Sequence, residues 1–156
     1  MTIRPATIED ISFIKQHLID SWVEHAKHEP DLLDIEAMKK SSVEEYYEAA
    51  LKSSDCYVLV AEVDGKIAGT VRADVEEISK FFKNNTILYI DDVCVAPEFR
   101  RQGIAEALLA EVEQIAQKRG IHRLQGRVYT FNKPIQQLLR KAGLRAPYAT
   151  WDKVLK

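Results

Sequence analysis

The sequence predicts a mixed α+β fold, a mostly antiparallel sheet flanked by about four helices, and three observations carry that reading. Strand-like runs follow one another directly between Cys56 and Val95, with no helical segment between them. Two of those runs meet at Asp64-Gly65, a dipeptide that favours a two-residue hairpin turn. Helical and extended segments alternate only beyond that point, so the sheet begins antiparallel and acquires a helical crossover later. A doubly wound parallel sheet would need alternation throughout, and the chain lacks it.

Taken in order, TIRPAT reads as a short first strand closed by Pro5. Thr7 then starts a helix with Asp10 three residues on, an acidic form of the capping box. Ile8, Ile11, Ile14, Leu18 and Trp22 recur at helical spacing along it. EPDLLD interrupts, and a second helix is expected from about Ile35 to Leu51. CYVLVAEV and KIAGTVRADV make the hairpin, a polar loop near KFFKNN follows, and TILYIDDVCV is the next strand. Ile104, Leu108, Val112 and Ile115 then mark one face of a helix that stops at Lys118-Arg119-Gly120. HRLQGRVYT is a further strand, Asn132 caps a short helix carrying Pro134 in its first turn, and Gly143 ends it. YATWDKVL is expected as a last strand. The order is β-α-α-β-β-β-α-β-α-β, read as one domain over residues 1–156.

Composition narrows the classes of function. The net charge is −2 with 29% charged residues, so no global basic field points to nucleic acid. The opening MTIRPATIED has no apolar signal core, and no apolar run approaches the roughly 18 residues that span a bilayer. Cys56 and Cys94 both lie in apolar strand-like runs and are expected as reduced thiols. Together these place the expected protein in the cytoplasm, away from membranes. His25 and His28 lie three apart on a helix, but two histidines without further ligands make no metal site, and no metal is expected.

One helix start is badly built for a helix. No Ser, Thr, Asp or Asn stands at the cap position near Gly103, and Arg100 and Arg101 sit where the helix already carries positive partial charge. Bare N–H groups, small residues at Gly103 and Ala105, and flanking arginines are the makings of a phosphate site. The same features also describe a surface turn whose N–H groups bind water. A nucleotide P-loop would need Lys-Ser or Lys-Thr after the glycine, and a dinucleotide-binding turn would need three glycines; both patterns are missing.

The stretch VCVAPEFRRQGIAEALL resembles the acetyl-CoA-binding core of the GCN5-related N-acetyltransferases, whose signature is [Gln/Arg]-x-x-Gly-x-[Gly/Ala]. Arg100, Gly103 and Ala105 match it, with Val93, Val95 and Pro97 where that family has its strand and turn. The opening IRPAT-x-x-D, and Asn132 followed eleven residues later by Gly143-Leu144, extend the likeness over most of the chain. The resemblance implies acetyl-CoA as co-substrate. Backbone amides from Arg101 through Gln102, Gly103 and Ile104 to Ala105 would cradle its pyrophosphate. Its pantetheine arm would bond the backbone of Val93 and Val95, exposed where the fourth strand leaves the fifth after Val95, and Asn132 would help hold it. A backbone N–H at Val93 or Cys94 would serve as oxyanion donor, a contribution of about 3 kcal/mol in such sites. Homodimers through terminal strands are common in the family, so a homodimer is a further expectation.

The resemblance implies attack of an amine on a thioester, which requires removal of a proton from the ammonium form. Asp91 and Asp92 stand where several relatives carry a water-ordering acid. Strand alternation would send them to opposite faces, and Asp92, sharing parity with Cys94, is the favoured base. Where the family often has a thiol-protonating Tyr, this chain has Leu139; Tyr129 or Tyr148 are the candidate substitutes. Glu106 stands where many members have a basic or hydroxyl residue. Between Trp22 and Lys52, eight carboxylates (Glu24, Glu29, Asp31, Asp34, Glu36, Glu44, Glu45, Glu48) face four lysines, which would favour a cationic small-molecule or peptide acceptor. Cys94 has no histidine close in sequence to activate it, so direct transfer in a ternary complex is expected. The alternative is a non-catalytic acyl-CoA-binding sensor, a reading kept open by Leu139.

Overall fold

Five strands and five helices are formed in the computed structural model, which describes residues 1–155. They run β1 (Thr2–Pro5), α1 (Ile11–His28), α2 (Ile35–Lys39), α3 (Val43–Lys52), β2 (Cys56–Val63), β3 (Lys66–Glu77), β4 (Thr86–Val95), α4 (Ile104–Lys118), β5 (Leu124–Gly126) and α5 (Lys133–Lys141). The strands lie in one sheet in chain order. β1 to β4 are antiparallel, and β5 joins β4 in parallel after the α4 crossover. Asp64 and Gly65 adopt φ of +50° and +74°, the left-handed pair that a tight hairpin between β2 and β3 requires.

Each sheet face buries its own helices. Leu59, Val71, Leu88 and Ile90 pack under Ile104, Leu108 and Val112 of α4. On the opposite face Val58 and Val60 pack under Ile11, Ile14 and Leu18 of α1 and Val43 and Tyr47 of α3. The α4 start lies directly on the sheet because Gly69 has no side chain. A Cβ there would meet the Cys94 carbonyl oxygen at 2.9 Å and Ile104 Cγ2 at 3.0 Å.

Three expected elements differ. The helix expected from Ile35 to Leu51 is two, α2 and α3, broken at Ser41-Ser42. There the Ser41 hydroxyl donates to the Met38 carbonyl at 2.5 Å, a local bond that competes with helix continuation. HRLQGRVYT forms a strand only over Leu124–Gly126. YATWDKVL forms no strand at all, and Trp151 is 93% exposed. A three-residue β5 offers no edge along which an eight-residue strand could pair. The terminal strand invoked for a homodimer is therefore not formed among the described residues. No helix among them is long and apolar enough to cross a membrane.

Candidate active site

The site begins with one extra residue in β4. Ala73 pairs with Ile90 and Arg72 with Asp92, so Asp91 has no partner and forms a β-bulge. Before the bulge the even residues face β5, as Leu88 N–H donating to the Arg123 carbonyl shows. After it the even residues face β3, where Ala96 N–H donates to the Ala68 carbonyl. Val93 and Val95 therefore turn their backbone groups away from β3, toward β5. But β5 has gone. Its last pair is Ile90 with Gly126, so the gap opens after Ile90 and not after Val95 as expected from sequence. Cys94 keeps its backbone turned to β3, so of the two expected oxyanion donors Val93 is the one whose N–H faces the gap.

The bulge also overturns the expected separation of the two carboxylates. Asp91 and Asp92 both lie on the α3 side, where Tyr46 donates its hydroxyl to Asp91 Oδ2 at 3.0 Å and Tyr47 donates to Asp92 Oδ2 at 3.2 Å. Both line a cleft of about 560 Å³ running between β4 and the β5–α5 wall. Burial, with the Asp91 carboxylate next to it, pushes the Asp92 carboxyl up to about 6. Burial likewise pushes the Cys94 thiol up to about 12, which keeps it protonated and a poor nucleophile at neutral pH. Arg72 is only 8% exposed; it donates to both oxygens of Asp74, at 2.8 and 3.0 Å, and its Nε lies 3.9 Å from Asp91. Its guanidinium stacks 3.7 Å from the centroid of the Tyr46 ring.

At the other end of the gap stands the start of α4. Gly103 adopts φ +80° and Arg101 φ +60°, and no side chain caps the helix. Neighbouring polar side chains turn away from the bare amides. Arg100 Nε donates to the Val95 carbonyl at 3.2 Å, and Gln102 donates to the Glu98 carbonyl at 3.2 Å. Glu106, the one acid in the first turn, is held by Lys141 of α5 at 2.6 Å. Ile104 is buried beneath, and Ala105 keeps the turn low. This arrangement fits an anionic ligand: open N–H donors, two arginines, and a left-handed glycine whose Cβ would meet only the Glu106 carboxylate, at 3.7 Å.

The remaining wall brings in residues that sequence reasoning placed separately or missed. Tyr129, Asn132 and Leu139 all line the cleft, whereas Tyr148 does not. Asn132 also caps α5, accepting from Ile135 N–H at 3.4 Å. Tyr129 stacks on Phe131, and these rings meet His25 and His28 of α1, which pin the loop after β5 to the opposite wall. Tyr46, Tyr47 and Arg72 carry no motif that marks them in the sequence. The bulge itself leaves a trace there: the apolar positions of β4 switch from even (Leu88, Ile90) to odd (Val93, Val95) across Asp91-Asp92.

Comparison with known proteins places this sequence and fold among relatives. An uncharacterised N-acetyltransferase of Archaeoglobus fulgidus is 29% identical over 119 residues, 76% of each chain. A mutant of a Bacillus halodurans protein shares the fold with a TM-score of 0.87 at 20% identity, covering all of both chains. The aminoglycoside N-acetyltransferase AAC(6')-Iy, solved in complex with CoA, does so with a TM-score of 0.76 at 16% identity, over 99% of this chain and 94% of that one. Residues 14–144 match the acetyltransferase (GNAT) family as a whole, and the chain belongs to that family of acetyl-CoA-dependent acetyltransferases.

Proposed function

We propose that this chain, acting as one acetyltransferase domain over residues 1–156, moves an acetyl group from acetyl-CoA to a primary amine by direct attack in a ternary complex. The observation that carries this reading is the gap after Ile90, with an uncapped helix start at one end and Asp92 at the other. Acetyl-CoA supplies the acyl group as an activated thioester. The amides of Arg101 to Ala105, with the side chains of Arg100 and Arg101, hold its pyrophosphate, and Val93, with the N–H of Val95, offers gap-facing backbone groups to its pantetheine arm. Asn132 flanks that arm from α5. The Val93 N–H is the donor placed to stabilise developing negative charge. Asp92 takes the proton from the incoming ammonium, directly or through a water, and Tyr129 is the hydroxyl available to the departing thiolate. The free thiols of Cys56 and Cys94 are in keeping with work in a reducing cytoplasm.

Release of free thiol from acetyl-CoA across a panel of amines tests this. Turnover is expected to rise as pH climbs through about 6, where Asp92 ionises. Asp92→Asn is expected to lower kcat by about 100-fold or more and to erase that limb. Because the folded state raises this carboxyl's pKa, its ionised form costs stability above about pH 6 and costs nothing in acid. Asp92→Asn should therefore melt no lower than the parent at about pH 8. Coenzyme A binding with no thiol release from any amine would instead select the sensor reading, for which Leu139 in the cleft wall is the supporting feature.

A further inference from the structure

The geometry points to the class of amine: one ammonium on an apolar or aromatic body, not a polycation. This rests on the transferase reading above and concerns the acceptor end of the same cleft. The acidic excess of residues 22–52 lies outside its lining, with Asp31, Asp34 and Glu36 on an adjoining pocket that meets it at Leu33. None of those eight carboxylates lines the cleft. Glu24 is paired with Lys27 at 2.8 Å, Glu36 with Lys39 at 3.2 Å, and Glu44 with Lys15, while Asp34 caps α2 through Ala37 N–H at 3.0 Å.

Trp22, Leu33, Met38, Val43, Tyr46 and Tyr89 make up most of this end, with three serines of α1 and the α2–α3 turn among them, closing on Asp91 and Asp92. Arg72, forked onto Asp74, also lies 3.9 Å from Asp91, and Arg127 stands in the cleft lining. Asp74, Asp91 and Asp92 set against Arg72 and Arg127 leave one negative charge in excess, which matches one ammonium. Second and third ammonium groups, as in a polyamine or an aminoglycoside, would lie against Trp22 and Met38, where no further anion lines the cleft to replace their water. An alkyl or aryl body in the same place gains from leaving water.

The test is a homologous series of linear alkylamines from ethyl to hexyl, with phenethylamine, spermidine and an aminoglycoside, scored by thiol release. All the alkylamines carry an ammonium of nearly the same acidity, so only the apolar body varies. We expect kcat/KM to rise about threefold per methylene, with phenethylamine at least 10-fold above spermidine. Met38→Glu, which adds an anion to this wall, should reverse the order in favour of spermidine, a gain that misfolding cannot imitate. Binding supplies a second readout. In a Trp151→Phe background Trp22 is the sole tryptophan, and its fluorescence in the coenzyme A complex should report tighter binding of hexylamine than of spermidine. Rates flat with chain length, or spermidine and the aminoglycoside ahead of phenethylamine in the parent protein, would overturn the inference and leave acetyl transfer standing. Absence of thiol release with every amine, together with no fluorescence response, would remove the transferase reading and this inference with it.

Discussion

Two helix starts in this molecule solve the same problem in opposite ways. Before α1, Asp10 is buried at 4% exposure and accepts from the Thr7 N–H at 2.7 Å, from the Thr7 hydroxyl at 3.1 Å, and from both arms of Arg4 at 2.7 and 3.0 Å. Its charge is answered within the chain, and the Arg4 bonds hold its carboxyl below the usual range. Before α4 there is no cap, Arg100 is bonded to the Val95 carbonyl, and Glu106, the acid of the first turn, is neutralised by Lys141. Arg101 even accepts a left-handed φ of +60°, a conformation that costs a non-glycine residue about 1 kcal/mol. A start that is satisfied internally serves stability. One left open at such a cost is available to a ligand.

The largest expected break in this contrast is Asp10→Ala. It should remove about 3 kcal/mol of stability by leaving Arg4 and the Thr7 amide without their partner, while coenzyme A affinity in the folded protein stays within about twofold. Because the folded state lowers the Asp10 pKa, its stabilisation is present above the ordinary carboxylate range and is lost as pH falls through the lowered value. Denaturant melts of parent and variant should accordingly converge in acid. Next comes Arg101→Glu, which should weaken coenzyme A binding about 10-fold and leave the melting temperature nearly unchanged, since this side chain is exposed. The smallest effect belongs to Lys141→Ala. Freed from its partner, Glu106 would oppose an anion at the helix start and weaken binding about threefold, and adding Glu106→Gln should restore it.

Much of this contrast is legible in the amino-acid sequence, for physical reasons that also explain what is not. Period and punctuation identify the hairpin at Asp64-Gly65, the α4 stripe and its missing cap, because these are local properties. The bulge at Asp91 is written only as a parity switch between Ile90 and Val93. Strand alternation carried straight through it puts the two carboxylates on opposite faces and the splay too late. Tyr46 and Tyr47 gain their meaning from a strand 45 residues away, a distance no local pattern spans. The acids of residues 22–52 count as a field in the sequence, yet none of them lines the cleft, and Glu24, Glu36 and Glu44 are paired with lysines. YATWDKVL has strand composition but nothing to pair with, which only the length of β5 reveals.

The central claim is that the α4 start is an anion cradle, and calorimetric titration of coenzyme A into the parent, Gly103→Asn and Gly103→Asp tests it most directly. Asn tolerates the left-handed conformation found at Gly103, so it isolates the effect of filling the position, while Asp adds a negative charge at the same place. Micromolar binding by the parent, reduced in Gly103→Asn and weakened at least about 100-fold in Gly103→Asp, is the expected result. Binding by Gly103→Asp within about twofold of the parent would contradict it, and would leave the α4 start an uncapped helix with two arginines in water.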